Sequence, residues 1–102
     1  MNTDMQFPCA IDDEANRFCE HIATEMVQRF SIPMVEAVTR INRKWRGQQI
    51  GGPEEIAYHE DEEFWAQDIY WGHDSFWWIT GEKRTSMNLP QLTPKSIDED
   101  IE

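Results

Sequence analysis

The chain has 102 residues, 39% of them hydrophobic and 28% charged, with a formal net charge of −11. That length is one domain, and such acidity argues against general affinity for nucleic-acid phosphates or anionic membranes, both of which need clustered cations. No apolar run approaches the roughly 20 residues of a membrane helix.

The start, "MNTDMQFPCAIDDE", has no basic region followed by an apolar block, so no signal peptide is expected and the cytoplasm is the default location. Residues 1–10 show no period and read as a loose arm. Asp12 or Asp13 suits a helix N-cap, with Ile11 as a hydrophobic staple. Ala15, Phe18, Cys19, Ile22, Ala23, Met26 and Phe30 then recur at three- and four-residue steps, which predicts an amphipathic helix over 13–30. Cys19 falls on its apolar face as a small hydrophobe; its spacing from Cys9 matches no zinc or redox motif, and a disulfide is not implied.

Ser31 and Pro33 mark a break and a fresh first turn. Met34, Val38, Ile41 and Trp45 form the stripe of a second helix that stops before Gly47, with Arg40, Arg43, Lys44 and Arg46 near its negative dipole end. The short link predicts that the two helices pack as a hairpin or at an open angle. "GQQIGGP" is a flexible connection, and "EEIAYH" a short strand or extended lead-in. Asp61 should cap a third helix, "EEFWAQDIYW", whose first-turn Glu62 and Glu63 favour the dipole and which Gly72 ends. "SFWWIT", residues 75–80, is read as a strand rather than a short fourth helix capped by Asp74, because aromatic and β-branched residues cluster there and "TGEK" reads as a turn. A partner for it lies near Ile56–Tyr58. Residues 1–84 are read as a single compact domain and 85–102 as a flexible acidic tail.

Four clusters are candidates for chemistry. His59, Glu60, Glu63, His73 and Asp74 carry metal-ligating groups, and His59, Glu63 and His73 would centre a metal-binding alternative. Their order is not the His-Glu-x-x-His of a metalloprotease. Glu60 and Glu63 near tryptophans would suit acid–base work if apolar walls raised one of them, yet acids at a helix start are most simply a solvated first turn. No nucleophile elbow, dinucleotide loop or phosphate loop occurs, so an enzyme is the minority reading and no cofactor is implied. The cations at 40–46 are most simply dipole compensation and ion pairs with the acids at 60–63.

The fourth cluster is Phe64, Trp65, Tyr70, Trp71, Phe76, Trp77 and Trp78, seven rings in fifteen positions. Trp77 and Trp78 would point to opposite faces of a strand, and Trp71 lies well round the third helix from Trp65, where it would face out. Some of these rings should therefore remain exposed beside acids, the composition of a binding hot spot. The bland alternative is a satellite cluster roofed by Leu89 and Leu92.

"YHEDEEFWAQDIYWG" followed by "DSFWW", with "AVTRINRKWRG" ahead of it, resembles small, functionally uncharacterised bacterial proteins with a helical N-terminal half. Their pattern would fall on Tyr58, His59, Glu60, Trp65, Ala66, Tyr70, Gly72, Trp77 and Trp78. Some acidic bacterial proteins of this kind resemble immunity proteins, which neutralise a toxin by occupying its basic active site; that likeness is compositional and assigns no residue.

The expected product is a mainly α-helical or α+β domain in which two N-terminal helices pack on a short aromatic helix and a small strand or hairpin. The expected function is a non-enzymatic, acidic protein-interaction domain for a basic protein partner, using Glu60, Glu63, Asp68, Tyr70, Trp71, Asp74, Trp77 and Trp78. Self-assembly through the tryptophan surface is a further reading.

Overall fold

The computed structural model describes residues 7–96. It contains α1 (Asp13–Phe30), α2 (Met34–Lys44), α3 (Glu62–Trp71) and a short α4 (Gly81–Ser86), with single 3-10 turns at Ile56–His59 and His73–Ser75. The architecture is mainly α. Among the described residues no helix is long and apolar enough to cross a membrane.

Each major helix starts and stops where its local chemistry directs. Asp12 caps α1 by accepting from the Ala15 amide at 2.8 Å, which satisfies one of the donors a helix start leaves open. Ser31 ends it in left-handed backbone, its amide bonded to the Val27 carbonyl, and Pro33 then opens α2. Asp61 caps α3 through the Phe64 amide at 2.9 Å, and Gly72 closes it at φ 92°.

The apolar face of α1 (Ala15, Cys19, Ile22, Ala23 and Met26) is buried throughout. It is the central helix, packed against both α3 and α2, which also touch each other. Alanines at 15, 23, 37 and 66 bring the backbones close, while Ile22, Met26 and Ile41 fill the space between them. Trp45, just past the end of α2, is also buried.

The stretch read as a loose arm is anchored from Phe7 onward; residues 1–6 lie outside the described residues. Phe7 and Cys9 are buried, and residues 9–11 pair with Ile50 through bonds of 2.7 Å (Ile50 amide to Cys9 carbonyl) and 3.0 Å (Ile11 amide to Ile50 carbonyl). This Ala10–Ile50 bridge is the β-pairing found among the described residues. The glycine loop that supplies it closes tightly on the start of α1. A Cβ on Gly51 would lie 2.6 Å from Ile11 Cγ1, so only glycine fits there.

The strand expected at 75–80, and its partner near 56–58, do not form. Ile56–His59 is a 3-10 turn capped by Glu55, whose carboxylate accepts from the Ala57 amide at 2.8 Å. Residues 73–80 follow a 3-10 turn, a left-handed Phe76 and an irregular bend before Gly81 starts α4. Backbone groups in an apolar segment need partners, and here a side chain supplies them in place of a ladder. Arg84 Nη2 donates to the Ser75 carbonyl at 3.0 Å, and Nη1 to the carbonyls of Phe76 at 2.9 Å and Ile79 at 3.1 Å. Its Nε reaches the Pro90 carbonyl at 2.7 Å. Arg84 is itself buried.

Residues 85–96 of the stretch read as a tail run back across the molecule. Lys95 donates its amide to the Tyr70 carbonyl at 2.8 Å, and Arg40 Nη1 donates to the Lys95 carbonyl at 2.6 Å. Leu89 and Leu92 are half-buried along that path.

Tyr58 packs edge-on against Phe18 at 4.9 Å, and its phenol oxygen is buried without a hydrogen-bond partner among the described residues. Burial, with Glu14, Asp12, Glu55 and Cys19 nearby, raises its ionisation above the usual tyrosine range. The folded state thus holds this proton more tightly than the unfolded chain does. The stability that the neutral phenol contributes is complete below pH about 10, and is lost as pH rises through the raised value. Tyr58→Phe is expected to stay within about 1 kcal/mol of the parent at neutral pH, or above it, since an unpartnered buried hydroxyl contributes little. It should also flatten Tyr58's share of the alkaline decline. Urea unfolding at a series of pH values checks both.

Candidate functional site

Five of the seven rings of residues 64–78 join the core tryptophan at 45 in a continuous ladder. Trp45 meets Trp65 edge to face at 5.2 Å, Trp65 meets Phe64 at 5.2 Å, and Phe64 meets Trp77 at 5.4 Å. Trp77 meets Trp78 at 5.6 Å, and Trp78 meets Phe76 at 5.6 Å. Edge-to-face geometry is the arrangement that ring quadrupoles favour. The ladder begins at a tryptophan 4% exposed and ends at Trp78 and Phe76, which are 46% and 44% exposed. Two of the seven rings therefore reach solvent substantially, and the expectation that some would be left outside is met at those positions.

Phe76 carries φ 54°, the left-handed region that a bulky side chain rarely adopts. Two neighbours hold it there: the Arg84 guanidinium on its carbonyl, and the His73 carbonyl, which accepts from its amide at 3.4 Å. The exposed ring is thus presented by a constrained backbone.

The other expected site residues separate into groups. Glu60 and Glu63 are exposed at the start of α3, beside Phe64 and its neighbour Trp77. Glu63 approaches Arg29 at 3.8 Å, and Glu62 approaches His21 at 3.5 Å. Asp74 is exposed next to Phe76. Tyr70 and Trp71 belong to a second aromatic group, half-buried on α1: Tyr70 stacks on Phe30 at 3.8 Å and 9°, and Trp71 meets Phe30 edge-on at 5.5 Å. Trp71, expected to face out, is instead partly covered because Phe30 extends far enough along α1 to shelter it.

Asp68 is corrected outright. Expected on the binding surface, it is 3% exposed. Its Oδ1 accepts from Trp77 Nε1 at 2.8 Å and lies 2.9 Å from His73 Nδ1, while Lys44 Nζ stands 4.0 Å from Oδ2. A buried carboxylate needs such company. Asp68 therefore staples the segment that carries the exposed rings onto α3.

The metal alternative finds no geometry. His59 is exposed at the end of its 3-10 turn, Glu63 turns toward Arg29, and His73 is engaged by Asp68. Among the described residues no three His, Cys, Asp or Glu side chains converge as metal ligands.

The basic cluster is also placed differently from expectation. Arg29, not the 40–46 group, approaches Glu63. Arg40 pairs with Glu36 at 2.8 Å one turn back on its own helix and lies over the Tyr70 ring at 4.8 Å. Lys44 turns toward Asp68 and lies 5.8 Å from the Trp65 ring centre.

Arg84 is the residue that sequence reading missed, and Phe76, named in the aromatic cluster, was not among the residues expected to bind. An arginine in "GEKRTS" looks like any surface cation, and nothing local marks it as buried.

No protein-family model matches the chain, and no curated protein or solved structure is significantly similar to it.

Proposed function

We propose that this chain is a non-enzymatic interaction domain that binds a basic protein partner through the exposed end of its aromatic ladder. The observation that carries this reading is Phe76, a large ring held outward on left-handed backbone beside the exposed Trp78. Such a conformation costs a bulky residue about 1–2 kcal/mol, and strained positions of this kind concentrate where a ligand is met. Aromatics in a polar rim are the usual anchors of an interface. Exposed Glu60, Glu63 and Asp74, together with the net charge of −11, supply steering and register toward a cationic surface. The compositional resemblance to immunity proteins supports the same class of partner.

Trp78→Ala and Phe76→Gly test it. Glycine relieves the backbone strain at 76 while removing the ring, so this variant is expected to unfold within about 1 kcal/mol of the parent. Both variants should lose about tenfold or more in affinity for a basic protein captured by the parent chain and released by salt. Retention of that protein by both variants as strongly as by the parent overturns the reading.

A further inference from the structure

Cys9 and Cys19 match no redox spacing in the sequence, yet the fold brings their side chains together. Cys19 lies on the buried face of α1. Cys9 lies in the arm that Ile50 holds in place, the Ile50 amide donating to the Cys9 carbonyl at 2.7 Å. Both thiols are free and buried in one core cluster, and the Cys19 S–H donates a hydrogen bond to the Cys9 sulfur. A disulfide needs its sulfurs about 2.05 Å apart, so partners already in contact need only a small shift of the arm.

The two thiols are not equivalent. Donation to Cys9, with burial, holds the Cys19 proton well above the usual thiol range. The same bond favours the anionic form of Cys9 and lowers it, against the opposing effect of burial. The thiolate is the nucleophile, so Cys9 is the sulfur that reacts first, with Cys19 behind it.

Access also singles out Cys9. It lines a cavity of about 670 Å³ whose walls include Pro8, Asn42, Trp45 and Gln49. Cys19 is sealed at 0% exposure, whereas Cys9 keeps 6%. So narrow an opening admits a reagent of the size of hydrogen peroxide. It excludes a bulky disulfide, whose sulfurs must line up with the attacking thiolate.

We propose that Cys9 and Cys19 form a peroxide-reactive thiol pair, in which Cys9 attacks and Cys19 resolves. The Cys9 sulfur, as thiolate, attacks one oxygen of hydrogen peroxide. An S–O bond forms, the O–O bond breaks, and the departing hydroxide takes up a proton and leaves as water. Cys9 is then a sulfenic acid. The Cys19 sulfur displaces its hydroxyl: an S–S bond forms, the S–O bond breaks, and the Cys19 proton leaves with the hydroxyl as a second water. Two thiols and one peroxide thus give one disulfide and two waters, with two electrons passing from sulfur to oxygen. The new bond fastens the arm to α1.

The test exposes the folded full chain to hydrogen peroxide, alkylates the remaining thiols and maps both cysteines by mass spectrometry. Both thiols should disappear together in the monomer, with a mass lower by about 2 Da, a linked Cys9–Cys19 peptide, and recovery with dithiothreitol. Cys19→Ser should stop at a Cys9 sulfenic acid that dimedone captures. In Cys9→Ser, the remaining Cys19 should oxidise about tenfold or more slowly than the parent pair. Oxidised glutathione should leave both thiols free. The linked peptide is read from the parent chain, so the result stands even if a serine variant fails to fold. The proposal is overturned if both thiols survive peroxide in the folded chain, or if the product is a disulfide between chains. Passage of Cys9 to a sulfinic acid while Cys19 stays free also overturns it. A glutathione adduct on Cys9, formed as readily as the peroxide product, overturns the assignment of the oxidant.

Discussion

Arg84→Ala is expected to lower stability by about 3 kcal/mol, the loss falling first on residues 73–90. One guanidinium serves the carbonyls of Ser75, Phe76, Ile79 and Pro90, and a hydrogen bond to a charged group contributes about 1.5–3 kcal/mol. Those contributions do not add fully, because the freed carbonyls near the surface recover water. Arg84→Lys should be nearly as damaging, since a single ammonium lacks the planar fork needed to span four acceptors. Urea unfolding gives the magnitude. Hydrogen exchange gives the location: amides of 75–80 should lose protection while those of α1 keep theirs. A loss below about 1 kcal/mol, or loss of protection spread evenly over α1–α3, contradicts this role.

A loss of about 1–3 kcal/mol is expected for Asp68→Ala, which strands the half-buried Trp77 indole N–H and removes the carboxylate beside His73 and Lys44. Most of it falls on the indole, because His73 and Lys44 reach solvent and recover water. Asp68→Asn keeps one carbonyl oxygen for the indole but turns an amide toward the cations, so its loss should be smaller. The Trp77 indole proton, read by magnetic resonance, should keep its hydrogen-bonded shift in Asp68→Asn and lose it in Asp68→Ala. Equal stability of the two variants would mean that the charge at 68 is immaterial and only an acceptor is needed.

Both residues serve the same task, which is to fix the aromatic segment at 73–80 with buried charge. Trp77 and Trp78 are consecutive, yet one is tied inward by Asp68 and the other is released outward. A strand would have achieved the same alternation through its pleat. Here it arises without strand pairing, from one buried carboxylate beneath the segment and one buried guanidinium behind it.

The helices were legible in the sequence because their causes are local. Apolar spacing on α1, Asp12 and Asp61 as caps, Ser31 and Pro33 at the break and Gly72 at the stop each act within a few residues of themselves. The mainly α class followed from them, as did the emergence of some rings from so small a core. The path of 73–80, the burial of Asp68, the role of Arg84, the meeting of Arg40 with Lys95 and that of Lys44 with Asp68 were decided only by the tertiary structure. Each depends on groups 5 to 55 positions apart, and whether a charged side chain is solvated or buried is set by what packs over it, which no local pattern encodes. "SFWWIT" has a strand's composition, but composition records only that a segment will be half-buried. Which groups satisfy its backbone was settled when α4 brought Arg84 against it.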